Sequence, residues 1–165
     1  MRLLLYPYRL FIVLLILSAS SSQLQSQSVK TASFKELGAI LDQRNDTTYV
    51  VNFWATWCGP CIKELPWFLE AAREFKSQKV RVILVSLDFP DERDSKVAPF
   101  IQRKGIDIPV MIMDEPDPNS WMPKVDKTWT GAIPATLIWN KKKRKFYEQP
   151  MSRDELYQAI NQFNK

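Results

Sequence analysis

Apolar runs of strand length alternate along this chain with apolar stripes at helical spacing. The strand-like runs cover residues 49–54, 80–86, 109–113, 135–139 and 145–148. The helical stripes cover about residues 34–44, 60–75, 95–104, 120–129 and 153–163. Since helices must bury their apolar stripes against a sheet, this αβαβαβαββα order predicts an α/β protein with a central mixed β-sheet flanked by helices.

The start of the chain has the composition of a targeting segment. Arg2 lies near the start, and Arg9 directly precedes an apolar run over 10–17. Small residues follow as far as Ser22. This order is typical of a secretory signal peptide, and the run is short for a membrane span of about 20 residues. We expect residues 1–22 to be a signal peptide, with an uncleaved membrane anchor as the alternative. Residues 23–32 are expected to be a flexible leader, and residues 33–165 a single domain.

Composition excludes several classes of site. The chain has no histidine and only two cysteines, so histidine metal sites, Ser-His-Asp triads and Cys-His pairs are ruled out. Two cysteines supply only half of a four-thiolate zinc site. The net charge of +5 is small and gives no reason to expect a nucleic-acid partner. We therefore expect neither a metal nor a cofactor.

The two cysteines, Cys58 and Cys61, stand where a buried strand gives way to a helix. Pro60 is tolerated in a first helical turn, so the helix is expected to begin near Gly59. Free N–H groups and the helix dipole would then stabilise a thiolate at Cys58. Cys61 lies one turn further on, shielded, where it can resolve a mixed disulfide. A purely stabilising bridge is the alternative, but so short a loop removes little entropy from the unfolded chain.

The segment 52–61, Asn-Phe-Trp-Ala-Thr-Trp-Cys-Gly-Pro-Cys, resembles the active site of the thioredoxin superfamily. A second segment, 131–136, resembles the loop in which that family holds a cis proline against the disulfide. The resemblance implies a thioredoxin fold over 33–165 and a cis bond between Ile133 and Pro134. The residues expected to contact a substrate chain are Trp57, Gly59, Pro60 and Ile133.

Two further features resemble the exported TlpA/ResA-like branch of this family. One is the signal-like start, and the other is an expected βα insertion between the two motifs, including residues 88–119. Asn52 stands where cytosolic thioredoxins usually carry a buried aspartate, so another acid is needed to help deprotonate Cys61. Asp88, at the end of the second strand, is our candidate, and Glu92 is a weaker one. The alternative for Asp88 is a solvated loop acid.

The expected function is that of an enzyme, a thiol–disulfide oxidoreductase that reduces or exchanges disulfides in exported proteins. The resemblance implies cytochrome c maturation or general repair reduction as its setting, in the periplasm or cell envelope. With no histidine between the cysteines, we expect a reductant that a membrane electron donor keeps reduced. A non-catalytic binding module or a metal-delivery module on the same fold is the alternative. A thiol peroxidase is disfavoured, because Ala55 occupies the place where that chemistry needs a threonine.

Overall fold

Six strands and five α-helices make up the part of the chain that the computed structural model describes, residues 29–164. The strands are β1 Lys30–Ala32, β2 Thr48–Trp54, β3 Val80–Ser86, β4 Val110–Met113, β5 Ala135–Trp139 and β6 Arg144–Tyr147. The helices are α1 Phe34–Leu41, α2 Gly59–Glu74, α3 Ala98–Lys104, α4 Pro118–Val125 and α5 Arg153–Phe163. None of these helices has the length and apolar character needed to cross a bilayer. The expected signal peptide or anchor at residues 1–22 lies outside the described residues.

The strands form one mixed sheet in the order β1-β4-β3-β2-β5-β6. The first four of these run parallel, whereas β5 and β6 are antiparallel to their neighbours. The α/β class with a mixed central sheet is therefore confirmed. In the β2–β5 pair, Asn52 lies opposite Thr136 and Phe53 opposite Ala135. This register places the residues just before β5 beside the carboxyl end of β2.

Strand β2 is the centre of the molecule, and all seven of its residues are buried. Its side chains alternate between the two faces of the sheet, so each face receives apolar groups. On one face Val50 and Trp54 join the core formed with α2, α3 and α5. On the other face Val51 and Phe53 join the core formed with α1 and α4. The sheet is thus covered on both sides, as its apolar strands require.

Local structure departs from the sequence expectation at several positions. Residues 30–32, the end of the expected flexible leader, form strand β1, in which Thr31 pairs with Ile112 and Ala32 is buried. Three residues are too few to give a recognisable alternation, so pairing with β4 decides their structure. The expected loop over 114–119 ends early because Asp117 caps α4 by accepting a hydrogen bond from the Asn119 amide. That helix stops at Val125 rather than Trp129.

The stretch between α2 and β5 contains β3, a π-helical turn at Arg93–Val97, α3, β4 and α4. The sequence predicted a single helix over 95–104 here, and the structure divides it between that turn and α3. The sequence analysis predicted that one βα pair in this stretch is an insertion into the simplest form of the fold. This stays a prediction.

Replacement of Phe53 by alanine is expected to lower the free energy of unfolding strongly. Phe53 is fully buried on β2, and its ring lies 4.6 Å from that of Trp129. Emptying such a site costs about 3–5 kcal/mol, from lost apolar burial and the cavity that remains. Phe89 is 71% exposed, so Phe89→Ala serves as the control and should stay within about 0.5 kcal/mol of the parent. Chemical denaturation of both variants measures the two changes in the free energy of unfolding. Equal losses of stability in the two variants would contradict the placement of Phe53 in the core.

Candidate active site

Cys58 and Cys61 form a disulfide at the amino end of α2. Cys58 is the residue that caps the helix, and its Sγ accepts a hydrogen bond from the Cys61 amide at 3.3 Å. Pro60 lies in the first turn, where no backbone N–H is needed. The predicted strand–helix junction is therefore confirmed. In the reduced protein the same amide and the helix dipole would favour a thiolate at Cys58.

The two sulfur-bearing residues differ in accessibility. Cys58 retains 6% of its surface, whereas Cys61 is fully buried. Trp57, immediately before Cys58, is 60% exposed and is one of the few large apolar side chains at the surface. Gly59 and Pro60 are also exposed. A second protein can therefore approach the disulfide only from the side of Cys58.

A loop between α4 and β5 lies against the disulfide. The Ile133–Pro134 peptide bond in it is cis, as the resemblance implies. Cys58 Sγ lies 3.8 Å from the Ile133 carbonyl oxygen, while Pro134 itself is buried. The register of β5 against β2 explains this approach, since Pro134 directly precedes the residue paired with Phe53.

Glu148 holds this proline loop in place, and no motif in the sequence marks this role. Its carboxylate accepts hydrogen bonds from the Thr130 amide at 2.9 Å, the Thr130 hydroxyl at 2.6 Å and the Ala132 amide at 3.0 Å. The Trp129 indole N–H donates to the Ala132 carbonyl at 2.9 Å. Only the fold brings these residues together, because Glu148 follows β6 and the loop precedes β5.

Asp88 lies beside the cysteine loop but bonds to Thr56. Its carboxylate accepts hydrogen bonds from the Thr56 amide at 2.9 Å, the Thr56 hydroxyl at 2.5 Å and the Ser86 hydroxyl at 2.7 Å. Lys96 Nζ is 3.9 Å away. Because the Asp88 side chain has no exposed surface, the alternative of a solvated loop acid is wrong. These contacts tie the residues before Cys58 to the end of β3.

Glu92, the weaker candidate acid, is partly exposed. It forms an ion pair with Lys96 at 3.1 Å, one helical turn away, and this pair lies on the outer side of Asp88. Glu92 therefore bonds to Lys96 and, within residues 29–164, to neither cysteine.

Glu64 is the buried acid that the sequence analysis missed. It is 2% exposed and accepts hydrogen bonds from Asn52 Nδ2 at 2.8 Å and the Met151 amide at 2.7 Å. Burial outweighs these two bonds and raises the pKa of Glu64 to about 7. The signal in the sequence is its spacing: Glu64 falls one turn after Cys61, among the apolar positions that face the core.

Asn52 links this glutamate to the proline loop. Its Nδ2 donates both to Glu64 and to Thr136 Oγ1, the latter at 3.1 Å. Its Oδ1 is buried and has no hydrogen-bond partner within residues 29–164. A continuous polar path thus runs from α2 through β2 to β5, inside an otherwise apolar core.

Residues 29–164 contain no group of three or more potential ligand side chains, histidine, cysteine, aspartate or glutamate, that could hold a metal ion.

The class of thioredoxin-fold proteins is defined by a mixed sheet and a disulfide at the amino terminus of a helix, with a cis-proline loop beside the disulfide. A family model described as AhpC/TSA family matches residues 18–144, more than half of the chain. The chain belongs to the AhpC/TSA family.

Individual relatives agree with this assignment. The thiol-disulfide oxidoreductase ResA of Bacillus subtilis is 38% identical over 64 residues, which are 38% of this chain and 33% of ResA. The alignment thus spans about a third of that curated relative. The resemblance to the thioredoxin superfamily and to ResA is confirmed.

Solved structures share the fold. A thioredoxin-related protein from Neisseria meningitidis serogroup B superimposes with a TM-score of 0.63 at 23% identity, covering 75% of this chain and 89% of that one. A thiol:disulfide interchange protein of the thioredoxin family from Chlorobium tepidum gives a TM-score of 0.60 at 22% identity, covering 73% and 82%. At these identities the structures establish the thioredoxin fold and nothing further.

Glu64→Gln is expected to remove a pH dependence of stability. The pKa of Glu64 is about 7 in the folded protein against an ordinary value of 4.5. Between these values the folded protein holds a proton that the unfolded chain has released, so stability falls as the pH rises. We expect the oxidised parent to lose on the order of 2–3 kcal/mol between about pH 5 and pH 8 relative to the variant.

Urea denaturation across this pH range measures the difference. Glu70→Gln is the matched control on the same helix, because hydrogen bonding to Arg153 lowers the pKa of Glu70 and moves its titration below the window. Parallel stability curves for the parent and Glu64→Gln would contradict the raised pKa.

Asp88→Ala is expected to loosen the loop before Cys58. It leaves the Thr56 amide and the Ser86 hydroxyl without their acceptor, at a cost on the order of 2–4 kcal/mol. Amide hydrogen exchange at Thr56 should accelerate well beyond the change in global stability. Asp94→Ala is the control, since Asp94 is exposed and, within residues 29–164, bonds only to its neighbour Arg93. Unchanged hydrogen exchange at the Thr56 amide would show that the hydrogen bonds to Asp88 do not hold this loop.

Proposed function

We propose that this protein is a thiol–disulfide oxidoreductase that reduces or exchanges disulfides in exported proteins. The observation that carries the proposal is the Cys58–Cys61 disulfide at the α2 amino terminus, 3.8 Å from the Ile133 carbonyl. A single dithiol at a helix terminus can take part in thiol–disulfide exchange without any cofactor.

The first step is attack on a substrate disulfide by the Cys58 thiolate. The Cys61 amide, which points at Cys58 Sγ, and the α2 dipole stabilise that thiolate. A bond forms between Cys58 Sγ and one substrate sulfur, and the substrate disulfide breaks. The other substrate sulfur leaves as a thiolate and takes a proton from solvent.

The second step is resolution by Cys61. Its thiol loses a proton, and its sulfur attacks Cys58 Sγ, so that the second substrate thiolate is released. Two electrons have then passed from the protein dithiol to the substrate disulfide. We assign the proton acceptor to Glu64, whose pKa of about 7 lets it exchange protons at neutral pH. Asp88, proposed from the sequence, is already saturated with donors from Thr56 and Ser86.

Exposed groups around Cys58 suit an extended substrate chain. Trp57 supplies an apolar surface beside the sulfur, and Gly59 and Pro60 leave the approach open. The Ile133 backbone lies on the opposite side of Cys58, where it can pair with a substrate strand. Pro134, which is buried, positions that backbone rather than contacting the substrate.

Export rests on the signal-like order of residues 1–22. In the periplasm or cell envelope the dithiol would become oxidised with each turnover, so a membrane dithiol donor must reduce it again. The N-terminal segment, if uncleaved, would hold the protein near that donor. Cytochrome c maturation and general repair of exported proteins are the two settings that fit this scheme.

Two other functions predict different behaviour. A thiol peroxidase, suggested by the AhpC/TSA family name, would consume peroxide at Cys58, although Ala55 replaces the threonine that this chemistry needs. A binding or metal-delivery module would retain the fold but turn over no disulfide. Catalytic assays separate all three.

Reduction of insulin disulfides in the presence of dithiothreitol tests the proposal. The parent should accelerate precipitation of the insulin B chain at least about tenfold over dithiothreitol alone, and Cys58→Ser should abolish the gain because the attacking sulfur is lost. Trp67→Ala is a control on the exposed face of α2 and should retain the activity. Peroxide consumption without insulin reduction would identify a peroxidase instead, and neither activity would favour a binding module.

Cys61→Ser is expected to accumulate mixed disulfides, because resolution needs the second sulfur. Purification of the trapped complexes from the cell envelope, followed by mass spectrometry, identifies the substrates. Apocytochromes among them would support the maturation setting; a broad set of exported proteins would support general repair. Trapping of cytosolic proteins alone from intact cells would contradict export.

A further inference from the structure

A groove of about 800 Å³ opens at the carboxyl ends of β3 and β4. Its walls are the segment 87–90 after β3, residues 113–116 at and after the end of β4, helix α4, and residues 129–131. The apolar part of the lining includes Phe89, Met113, Trp121, Met122 and Trp129. It lies on the α1 and α4 side of the sheet, whereas the cysteine helix covers the other side.

The charge of the groove is of one sign. Its lining includes Asp88, Asp114 and Glu115 and, among the described residues, no lysine or arginine. Lys96 offsets Asp88, but neither Asp114 nor Glu115 forms an ion pair within residues 29–164. In a chain with a net charge of +5 this is a local reversal of sign. A cationic ligand would be favoured there, and an anionic one disfavoured.

Trp121 gives a second and independent indication of a ligand. It lines the groove and is 3% exposed, yet its Nε1 donor has no acceptor among the described residues. Trp129, its neighbour in the same wall, donates its indole N–H to the Ala132 carbonyl. A buried donor without a partner is uncommon in folded proteins, and a ligand carbonyl would satisfy it.

Both ends of the groove wall are attached to the disulfide site. On one side Asp88 lies in the wall and bonds to Thr56, two residues before Cys58. On the other side Thr130 and Gly131 lie in the wall and lead directly to Ile133. Gly131 has φ +100°, and a Cβ there would come within 3.1 Å of Met122 Cε, so glycine allows the loop to close against α4. A chain paired with the Ile133 backbone can therefore continue into the groove.

We propose that the groove binds the segment flanking the reactive cysteine of the substrate protein, and that it selects segments with lysine or arginine beside an apolar anchor. The inference rests on the proposed oxidoreductase function and names its substrate class. The apolar floor takes the anchor, while Asp114 and Glu115 attract the cationic side chains. Trp121 lies in this apolar floor, with an indole N–H that has no acceptor among the described residues.

Two synthetic peptide disulfides of equal length test this, one with Lys-Phe-Lys and the other with Glu-Phe-Glu next to the cysteine. Rates are measured with the full-length reduced protein and divided by its rate with hydroxyethyl disulfide, which is too small to occupy the groove. We expect kcat/KM to favour the lysine peptide by about tenfold at low salt and by less than about threefold at 1 M salt, where charges are screened within about 3 Å.

Asp114→Asn with Glu115→Gln removes both charges and keeps the acceptor that Glu115 offers to the Phe34 amide. This double variant should reduce the preference to less than about threefold. The control double variant, Asp117→Asn with Asp126→Asn, removes two charges at the ends of α4, outside the groove lining. It should keep the preference for the lysine peptide. Phe89→Ala should lower the normalised rate for both peptides about three- to tenfold, since it removes exposed apolar surface.

The outcomes separate this inference from the function on which it rests. No reduction of hydroxyethyl disulfide would overturn the proposed function itself. Reduction of it with equal treatment of the two peptides would overturn the groove assignment alone. An equal loss of preference in both double variants would place the effect in the overall field and not in the groove. A change of oligomeric state in the groove variants would make this face an interface between copies, and the proposal would be wrong.

Discussion

Burial of β2 on both faces and along both edges is the constraint on which the rest of the site depends. Hydrogen bonds to β3 and β5 fix its neighbours, and all of its side chains enter the core. The cysteine helix begins five residues after its end, Asp88 follows β3, and Pro134 precedes β5. Because each of these three features is attached to β2 or to a strand hydrogen-bonded to it, the disulfide and the proline loop meet without depending on flexible loops.

Two buried carboxylates near the cysteines have different environments. Asp88 is surrounded by donors and has Lys96 nearby, so its charge is compensated and it serves to hold the Thr56 loop. Glu64 has two donors and an apolar surrounding, and its pKa rises to about 7. Burial with few compensating bonds produces a group able to exchange protons, whereas burial with many produces a structural tie.

Substrate selection can lie apart from the chemistry in this arrangement. The proposed chemistry uses the α2 terminus, Cys61 and Glu64, all on one side of the sheet. The groove is built by α4 and the loops after β3 and β4, on the other side. The proline loop borders both, because Thr130 and Gly131 form part of the groove wall while Ile133 faces Cys58. If the proposal for the groove holds, changes in its lining are expected to alter which chains bind without disturbing the thiols.

The sequence alone determined the α/β class, the strand–helix junction at Cys58, and the two cysteines as the disulfide pair, since periodicity and short motifs are local properties of the chain. Strand β1 escaped prediction because three residues carry no periodic signal. Glu64 and Glu148 escaped because their roles depend on partners distant in the chain, Met151 for one and Thr130 for the other. For Asp88 the sequence found the residue, but only the tertiary structure decided what it touches. Burial and long-range hydrogen bonding set the state of a carboxylate, and both exist only once the chain has folded.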